Sequence, residues 1–233
     1  MKVLVIIPAY NESESIAAVI DKLKKDCPRA DYIVVNDCSK DNTLQVLVDN
    51  KASYVNLPLN LGIGGGVQTG YKYAYQNGYD IAIQIDGDGQ HDTAYLEKVI
   101  KPIEDGEADI VIGSRFITKE GFQSSGMRRL GIKFLSTLIK ICCGTRVYDV
   151  TSGFRAVNSE YIKVYSEEYP DDYPEPEAIV KASCLGARIS EVPVIMKERE
   201  TGSSSITSWK SIYYMIKVSL AIIICRISLG FRR

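Results

Sequence analysis

The 233-residue chain has one histidine, one tryptophan and no strong excess of either charge, with 28 lysines and arginines against 29 aspartates and glutamates. Near-neutrality argues against a nucleic-acid surface, for which a broad basic excess is expected, so no nucleic acid is expected as a partner. Its six cysteines, Cys27, Cys38, Cys142, Cys143, Cys184 and Cys225, contain no CxxC spacing. The usual zinc and dithiol motifs are therefore absent, and reduced thiols in a cytosolic setting fit. Met1-Lys2-Val3 enters an apolar run with no signal-peptide pattern. No uncharged and predominantly apolar stretch reaches the ~20 residues that span a bilayer. Even in the apolar C-terminal segment, Lys217 and Arg226 bracket only eight residues. Internal repeats and low-complexity tracts are also missing. The length fits one large α/β domain and is short for two.

Apolar runs and helical periodicities alternate through the first half. Strands are expected over 2–7, 32–35, 53–57, 80–85 and 108–112, and helices over 14–26, 41–49, 66–76 and 93–104. Ser13 is the expected cap of the first helix. This alternation implies a mainly parallel central sheet with helices on both faces. The second half reads differently: a polar loop over 118–126, an apolar helix over 129–142 in which Cys142 and Cys143 are small core residues, and a strand over 152–157. A Pro- and acid-rich stretch over 169–177, a helix over 178–185 and a strand over 188–196 follow.

Chemistry-bearing residues recur where strands end. Asp86-Gly87-Asp88 follows the run 79–85, which places two carboxylates at the carboxyl edge of a sheet. Mg²⁺ and Mn²⁺ share oxygen ligands between one or two protein carboxylates and substrate phosphates, so the pair suits a metal-bound diphosphate. Asp-Gly-Asp is equally a good turn sequence. Pro8-Ala9-Tyr10-Asn11-Glu12 stands where a dinucleotide-binding protein would carry GxGxxG, yet it has no glycine, so phosphate cradling is not its task. Tyr10 can stack on a base and Glu12 can accept from a base or ribose donor, or the segment is a simple strand-to-helix turn. Asn36-Asp37-Cys38-Ser39 adds a carboxylate, with Ser39 or Asp41 available as helix caps. The glycines of Asn60-Leu61-Gly62-Ile63-Gly64-Gly65-Gly66 allow positive φ and close backbone approach to a ligand.

These four segments with Gly113-Ser114-Arg115, in their order and spacing along the chain, closely resemble family 2 glycosyltransferases of the GT-A fold. Thr151-Ser152-Gly153-Phe154-Arg155 and Arg199-Glu200-Thr201-Gly202-Ser203-Ser204 are similar to the branch of dolichyl-phosphate and polyprenyl-phosphate sugar synthases. The resemblance covers nearly the whole chain. It implies a catalytic domain over 1–205, with Pro8, Tyr10, Glu12, Asp37, Gly62 and Asp86 around the nucleotide. Asp86, Asp88 and Gln90 would hold Mg²⁺ or Mn²⁺, with Asp88, Arg115 and Arg199 as catalytic residues. Arg115, Arg128, Arg129 and Arg199 match positions that contact donor or acceptor phosphates. His91, the single histidine, is expected to support the metal loop. The related synthases often read Gly-x-Ser-Lys where this chain has Gly202-Ser203-Ser204-Ser205, so a phosphate-binding lysine is missing. Many of them also carry long transmembrane segments after the catalytic domain.

The activity so implied is inverting, metal-dependent transfer of a sugar from a UDP- or GDP-linked donor to a polyprenyl phosphate, in cell-wall polysaccharide assembly. Transfer to a hydroxyl of a growing glycan or glycolipid is the alternative, and a non-catalytic nucleotide-sugar-binding subunit is the reading from another class. A hydroxyl needs its proton removed whereas a lipid phosphate is already anionic, so Asp172, Glu175 and Glu177 are candidate bases only for a hydroxyl acceptor. Residues 206–233 form an amphipathic C-terminal helix. Its alternatives are a membrane interface, with Lys217 and Arg226 snorkelling and Trp209, Tyr213 and Tyr214 as anchors, or packing against the domain, a homodimer partner or a membrane partner subunit. The expected location is cytoplasmic, peripheral on the inner face of the membrane.

Overall fold

In β1 (Val3–Ala9) every residue is buried. Val3, Val5 and Ile7 enter one core while Leu4 and Ile6 enter another, because successive side chains leave a strand on opposite faces. The structure, a computed structural model, describes residues 1–118, 120, 126–172, 174–197 and 208–230, with side chains of the last segment described over 215–228. Around β1 lies a seven-stranded sheet in the order β3-β2-β1-β4-β6-β5-β7, formed with β2 (Asp31–Asn36), β3 (Tyr54–Asn56), β4 (Ile81–Gln84), β5 (Ile110–Ser114), β6 (Arg155–Asn158) and β7 (Ile189–Pro193). All neighbouring pairs are parallel except those of β6, which runs antiparallel to both β4 and β5. The mainly parallel sheet expected from the sequence is present. The reversal of β6 brings its first residue, Arg155, opposite Gln84 and Ile112, so the loop entering β6 reaches the same edge where β4 and β5 end.

Helices cover both faces. On one side α1 (Ile16–Asp26), α2 (Thr43–Asp49) and α4 (Leu96–Glu104) close the first core with Ile20, Leu23, Leu47, Val99 and Ile100. On the other, α3 (Gly62–Gln76), α5 (Gly126–Cys143), α6 (Ser159–Glu167), α7 (Pro174–Leu185) and α8 (Ser208–Gly230) close the second, with Tyr71, Leu135, Tyr165, Ile179 and Ile222. Each fully buried aliphatic side chain contributes about 1.5–3 kcal/mol, which holds the layers together. No helix among the described residues is long and apolar enough to cross a membrane.

Four differences from the sequence expectations have physical causes. The first helix starts at Ile16. Ser13 does not cap it: its backbone N–H donates to Asp41 Oδ2 at 3.1 Å. α3 begins at Gly62 rather than at residue 66. Only Gly62, at φ 75°, uses the left-handed freedom; the glycines after it are helical. A Cβ on Gly64 would lie 2.0 Å from the Pro170 carbonyl oxygen and one on Gly70 2.2 Å from Ile6 Cγ2, so close packing overrides their poor helix propensity. α7 begins at Pro174 rather than at 178, since prolines in a first turn lack only N–H groups that would have no helical partner. No element is expected from the sequence over 159–167, where α6 forms. Its signal is Asn158, whose side chain accepts the Tyr161 N–H at 3.1 Å, before an inward stripe of Tyr161, Ile162 and Tyr165.

Candidate active site

The loops leaving β1, β2, β3 and β4 meet at one edge because parallel strands deliver their carboxyl ends together. After β1, the Glu12 N–H donates to Thr43 Oγ1 at 2.9 Å and the Asn11 N–H to Ser39 Oγ at 3.0 Å, which locks the first loop onto the second. Asn11 and Cys38 both have left-handed backbones, φ 57° and 56°. Asparagine adopts this conformation readily; cysteine does so only under constraint. Asp37 is buried and its Oδ1 accepts the Leu61 N–H at 2.7 Å, which fixes the start of α3 and Gly62 beside it. Pro8 is the penultimate residue of the buried strand, and Tyr10, just beyond its end, is exposed.

Asp86 and Asp88 stand on the next loop, held from three directions. Ser15 Oγ lies 2.8 Å from both Gly87 O and Glu12 Oε2. A Cβ on Gly87 would come 3.1 Å from Pro8 O, and one on Gly153 3.0 Å from Asp86 Oδ1. The Asp86 N–H donates to His91 Nδ1 at 2.9 Å, and His91 Nε2 lies 3.6 Å from Asp86 Oδ2. Burial pushes the His91 pKa down to about 4, so its imidazole is neutral at pH 7. His91 also bridges Met196, and the Lys197 N–H donates to Gln90 O at 3.0 Å, so the segment after β7 lies against this loop. The Gln90 N–H donates to Asp88 Oδ1 at 3.0 Å.

No group of three or more His, Cys, Asp or Glu side chains with metal-site geometry occurs among the described residues. Two carboxylates with one glycine between them are instead a donor set suited to a hard divalent cation that completes its shell with phosphate oxygens and water. The exclusion of a side chain at Gly153 keeps the space beside Asp86 Oδ1 clear, in keeping with such a cation.

Across the edge, Arg115 at the end of β5 is buried against Asp149. Its Nε donates to Oδ2 at 2.7 Å and its Nη2 to Oδ1 at 2.6 Å. Burial opposes its charge, but the Asp149 bonds outweigh that and raise its pKa. Asp149 is itself positioned by Glu191 of β7, which accepts the N–H groups of Tyr148 and Asp149 at 2.8 Å each. Arg155 is fully buried; its Nη2 donates to Ser152 O at 2.8 Å and its Nη1 to Glu175 O at 3.2 Å, joining the β6 entrance to the first turn of α7. Beneath the edge, the Gln84 amide and the Tyr71 and Tyr169 hydroxyls are buried without a hydrogen-bond partner among the described residues.

The three candidate bases separate. Glu175 is half-buried, with a pKa raised chiefly by burial; Asp86, Arg115 and Arg155 are its charged neighbours. Asp172 is exposed and pairs with Lys217 of α8, and Glu177 has Glu168, Lys181 and Asp171 around it. Arg128 and Arg129 are exposed in the first turn of α5. Arg199, with the rest of the segment 198–207, lies outside the described residues. Thus Pro8, Tyr10, Glu12, Asp37, Gly62, Asp86, Asp88, Gln90 and Arg115 share one edge with Glu175, while Asp172 and Glu177 are directed elsewhere. Asp149, Glu191 and Ser15 were not legible as site residues, since each acts through a partner distant in sequence. Asp149 lies beside the Thr151–Arg155 motif, the only local signal for it.

The profile of the family described as Glycosyl transferase family 2 matches residues 4–166. The chain is 33% identical over 215 residues to a UDP-N-acetylglucosamine–dolichyl-phosphate N-acetylglucosaminyltransferase from Methanococcus voltae, covering 82% of this chain and 84% of that protein. It is 29% identical over 216 residues to an undecaprenyl-phosphate mannosyltransferase from Micrococcus luteus, covering 89% and 88%. Glucosyl-3-phosphoglycerate synthase from Mycobacterium tuberculosis, solved with Mn²⁺, UDP and phosphoglyceric acid, superimposes with a TM-score of 0.73 at 19% identity, covering 97% of this chain and 78% of that one. The same synthase solved with Mg²⁺ and UDP gives 0.71 at 18% identity, covering 97% and 79%. That likeness shows a shared fold, the GT-A arrangement of a mostly parallel mixed sheet between helical layers.

Proposed function

Because the chain belongs to glycosyl transferase family 2, we propose that it moves one sugar, with inversion, from a nucleoside-diphosphate sugar to a polyprenyl phosphate at the cytosolic face of a membrane. The observation that carries this reading is the Asp86–Asp88 loop, set among the β1, β2 and β3 loops at one sheet edge, in a chain two of whose sequence relatives, from Micrococcus luteus and Methanococcus voltae, are named for transfer to lipid phosphates.

On this reading Tyr10 stacks on the base, Glu12 and Asp37 take the ribose and base donors, and Pro8 and the backbone at Gly62 line the nucleotide pocket. Asp86, Asp88 and Gln90 hold the divalent cation. A bound Mg²⁺ or Mn²⁺ supplies positive charge to the departing diphosphate. His91 stays neutral and accepts the Asp86 N–H, so it keeps the carboxylate loop in place without competing for the cation. Arg115, fixed by Asp149, presents a preorganised positive charge, and Arg128, Arg129 and Arg199 bind the acceptor phosphate. A lipid phosphate is an anion at pH 7, so in-line attack needs no base from the protein.

Glu175 favours a second reading, transfer to a sugar hydroxyl. It is the one acid of the 171–177 stretch whose charged neighbours are Asp86 and Arg115, and its raised pKa suits a proton acceptor.

Incubating the purified chain with labelled UDP- and GDP-sugars, Mn²⁺ or Mg²⁺, and polyprenyl phosphate in detergent tests the proposal. A lipid-linked sugar phosphate is the expected product. Label carried only into a glycan or glycolipid hydroxyl would move the assignment to the second reading. Donor binding with no transfer to any acceptor would leave the binding-subunit reading.

A further inference from the structure

Four of the six cysteines gather near the carboxyl ends of three helices. Cys143 is the last residue of α5 and Cys184 the last but one of α7, and their Sγ atoms lie 4.0 Å apart. Both helix ends are fixed by the backbone: the Gly144 N–H donates to Lys140 O at 2.9 Å and the Gly186 N–H to Ser183 O at 3.1 Å. α8 brings Cys225 to the same place, next to Arg226, whose Nε donates to Cys142 O at 2.8 Å; Cys184 is among the groups that act on Cys225. The two remaining thiols lie elsewhere and have oxygen partners, Cys27 at Glu97 Oε1 (3.4 Å) and Cys38 at Pro58 O (3.7 Å).

Within the cluster, geometry selects one pair. Cys142 and Cys143 are successive residues of one helix, and side chains at i and i+1 do not face each other. Cys143 and Cys184 do face each other, from separate helices. A disulfide of about 2.0 Å needs their sulfurs to close by about 2 Å, which a χ1 rotation on each side chain supplies while both helix ends stay in place. Both residues are half-buried rather than sealed in the core, and Leu185 and Gly186, just beyond Cys184, are exposed. An oxidant of the size of hydrogen peroxide can therefore reach this pair. The pair stands apart from the candidate active site, because Cys184 follows Glu175 by nine residues on α7, about 14 Å at 1.5 Å per residue.

We propose that Cys143 and Cys184 form a peroxide-oxidisable dithiol, which closes to a disulfide joining the carboxyl ends of α5 and α7. The thiolate is the form that attacks an oxidant. Burial, with Cys184 beside it, pushes the Cys143 thiol up to about 12, so Cys143 stays protonated at pH 7 and Cys184 meets the oxidant first. The Cys184 thiolate attacks one peroxide oxygen; the O–O bond breaks, the departing hydroxide takes up the proton that Cys184 released, and the sulfur is left as a sulfenic acid. The Cys143 sulfur then attacks the sulfenic sulfur, the S–O bond breaks, and the oxygen leaves as a second water with the Cys143 proton. Two thiols lose two electrons and one peroxide becomes two waters. The link spans 41 positions of sequence and ties together the helices whose first turns carry Arg128, Arg129 and Glu175.

Peptide mapping of the full chain tests this. The reduced, folded protein is treated with hydrogen peroxide at pH 7, its remaining thiols are blocked with N-ethylmaleimide, and it is digested without reduction. The main cross-linked product should join the Cys143 peptide to the Cys184 peptide within one chain, and dithiothreitol should reverse it. In urea the pairings should scatter, and the share of this pair should fall about fivefold, since a given pair occurs in one fifth of the connectivities open to six cysteines. Cys142→Ser and Cys225→Ser should still form the link. Cys143→Ser should leave the Cys184 sulfenic acid without its resolving partner, so that dimedone labels it. Absence of the link in the folded protein would overturn the proposal. So would a dominant link from Cys184 to Cys142 or Cys225, an equal yield in urea, or no dimedone label on Cys184 in Cys143→Ser. None of these readouts requires a sugar donor or an acceptor, so their failure and that of the proposed transfer reaction are independent.

Discussion

The proposed nucleotide side and the far side of the sheet edge are fastened by different physics. On the nucleotide side, the loops after β1 and β2 are joined mainly by backbone N–H groups donating to hydroxyls and carboxylates near the surface, such as Glu12 to Thr43 and Ser13 to Asp41. On the far side the fastenings are buried charges: Arg115 with Asp149, Asp149 oriented by Glu191, and Arg155 clamped between two carbonyls. Single capping bonds near the surface fail one at a time at small cost, whereas a buried ion left alone is strongly destabilising. The nucleotide side should therefore tolerate loss of single contacts, and the far side should depend on each.

The sharpest test of this contrast is Asp149→Ala, which leaves the Arg115 guanidinium buried without its carboxylate. It should cost about 3–5 kcal/mol in chemical denaturation. A loss under about 1 kcal/mol would place the two sides on the same footing. Asp88→Asn should do the opposite, lowering transfer by on the order of 10²- to 10³-fold with little change in melting temperature, because it removes charge from a solvent-facing loop. Turnover close to that of the wild type would remove Asp88 from the metal site. Gly64→Ala should cost about 1–3 kcal/mol, since its methyl would need to displace the Pro170 and Asp171 carbonyls; an unchanged melting curve would show that the 170–171 backbone gives way freely.

The smallest stability effect belongs to Asp41. Burial works to raise its pKa, but bonds from Thr43 and Ser13 overcome this and hold it at about 2, against an ordinary 3.8. Its contribution is thus complete above pH 4 and is lost as pH falls toward 2. At this exposed position the whole effect should stay below about 1 kcal/mol. Urea titrations of Asp41→Asn should show a shallower loss of stability between pH 4 and 2 than the wild type; parallel curves would contradict the assignment.

The same contrast explains what was legible in the sequence. β1 is a continuous apolar run and β4 is apolar up to Gln84 because both faces are buried, and the motifs at strand ends are local, so the loops carrying Asp86, Asp88, Tyr10 and Asp37 could be placed at one sheet edge without coordinates. Far-side residues work through partners remote in sequence. Arg115 and Asp149 are 34 residues apart, and nothing in either neighbourhood announces the other. Helical glycines in α3 and the proline-led start of α7 violate local propensity because tertiary contacts decide them. The acid-rich stretch 171–177 was visible as composition, yet only the packing of α7 and α8 separates Glu175, near Asp86, from Asp172, which pairs with Lys217.

Glu175 supplies the most direct test of the central claim, that the acceptor is an anionic lipid phosphate and the far side provides positive charge rather than a base. In single-turnover transfer to polyprenyl phosphate, Glu175→Gln should react within about threefold of the wild type, because an anionic nucleophile has no proton to lose. A loss of about 10²- to 10⁴-fold, the range for removing a general base, would contradict the account by showing that transfer depends on a protein carboxylate at Glu175.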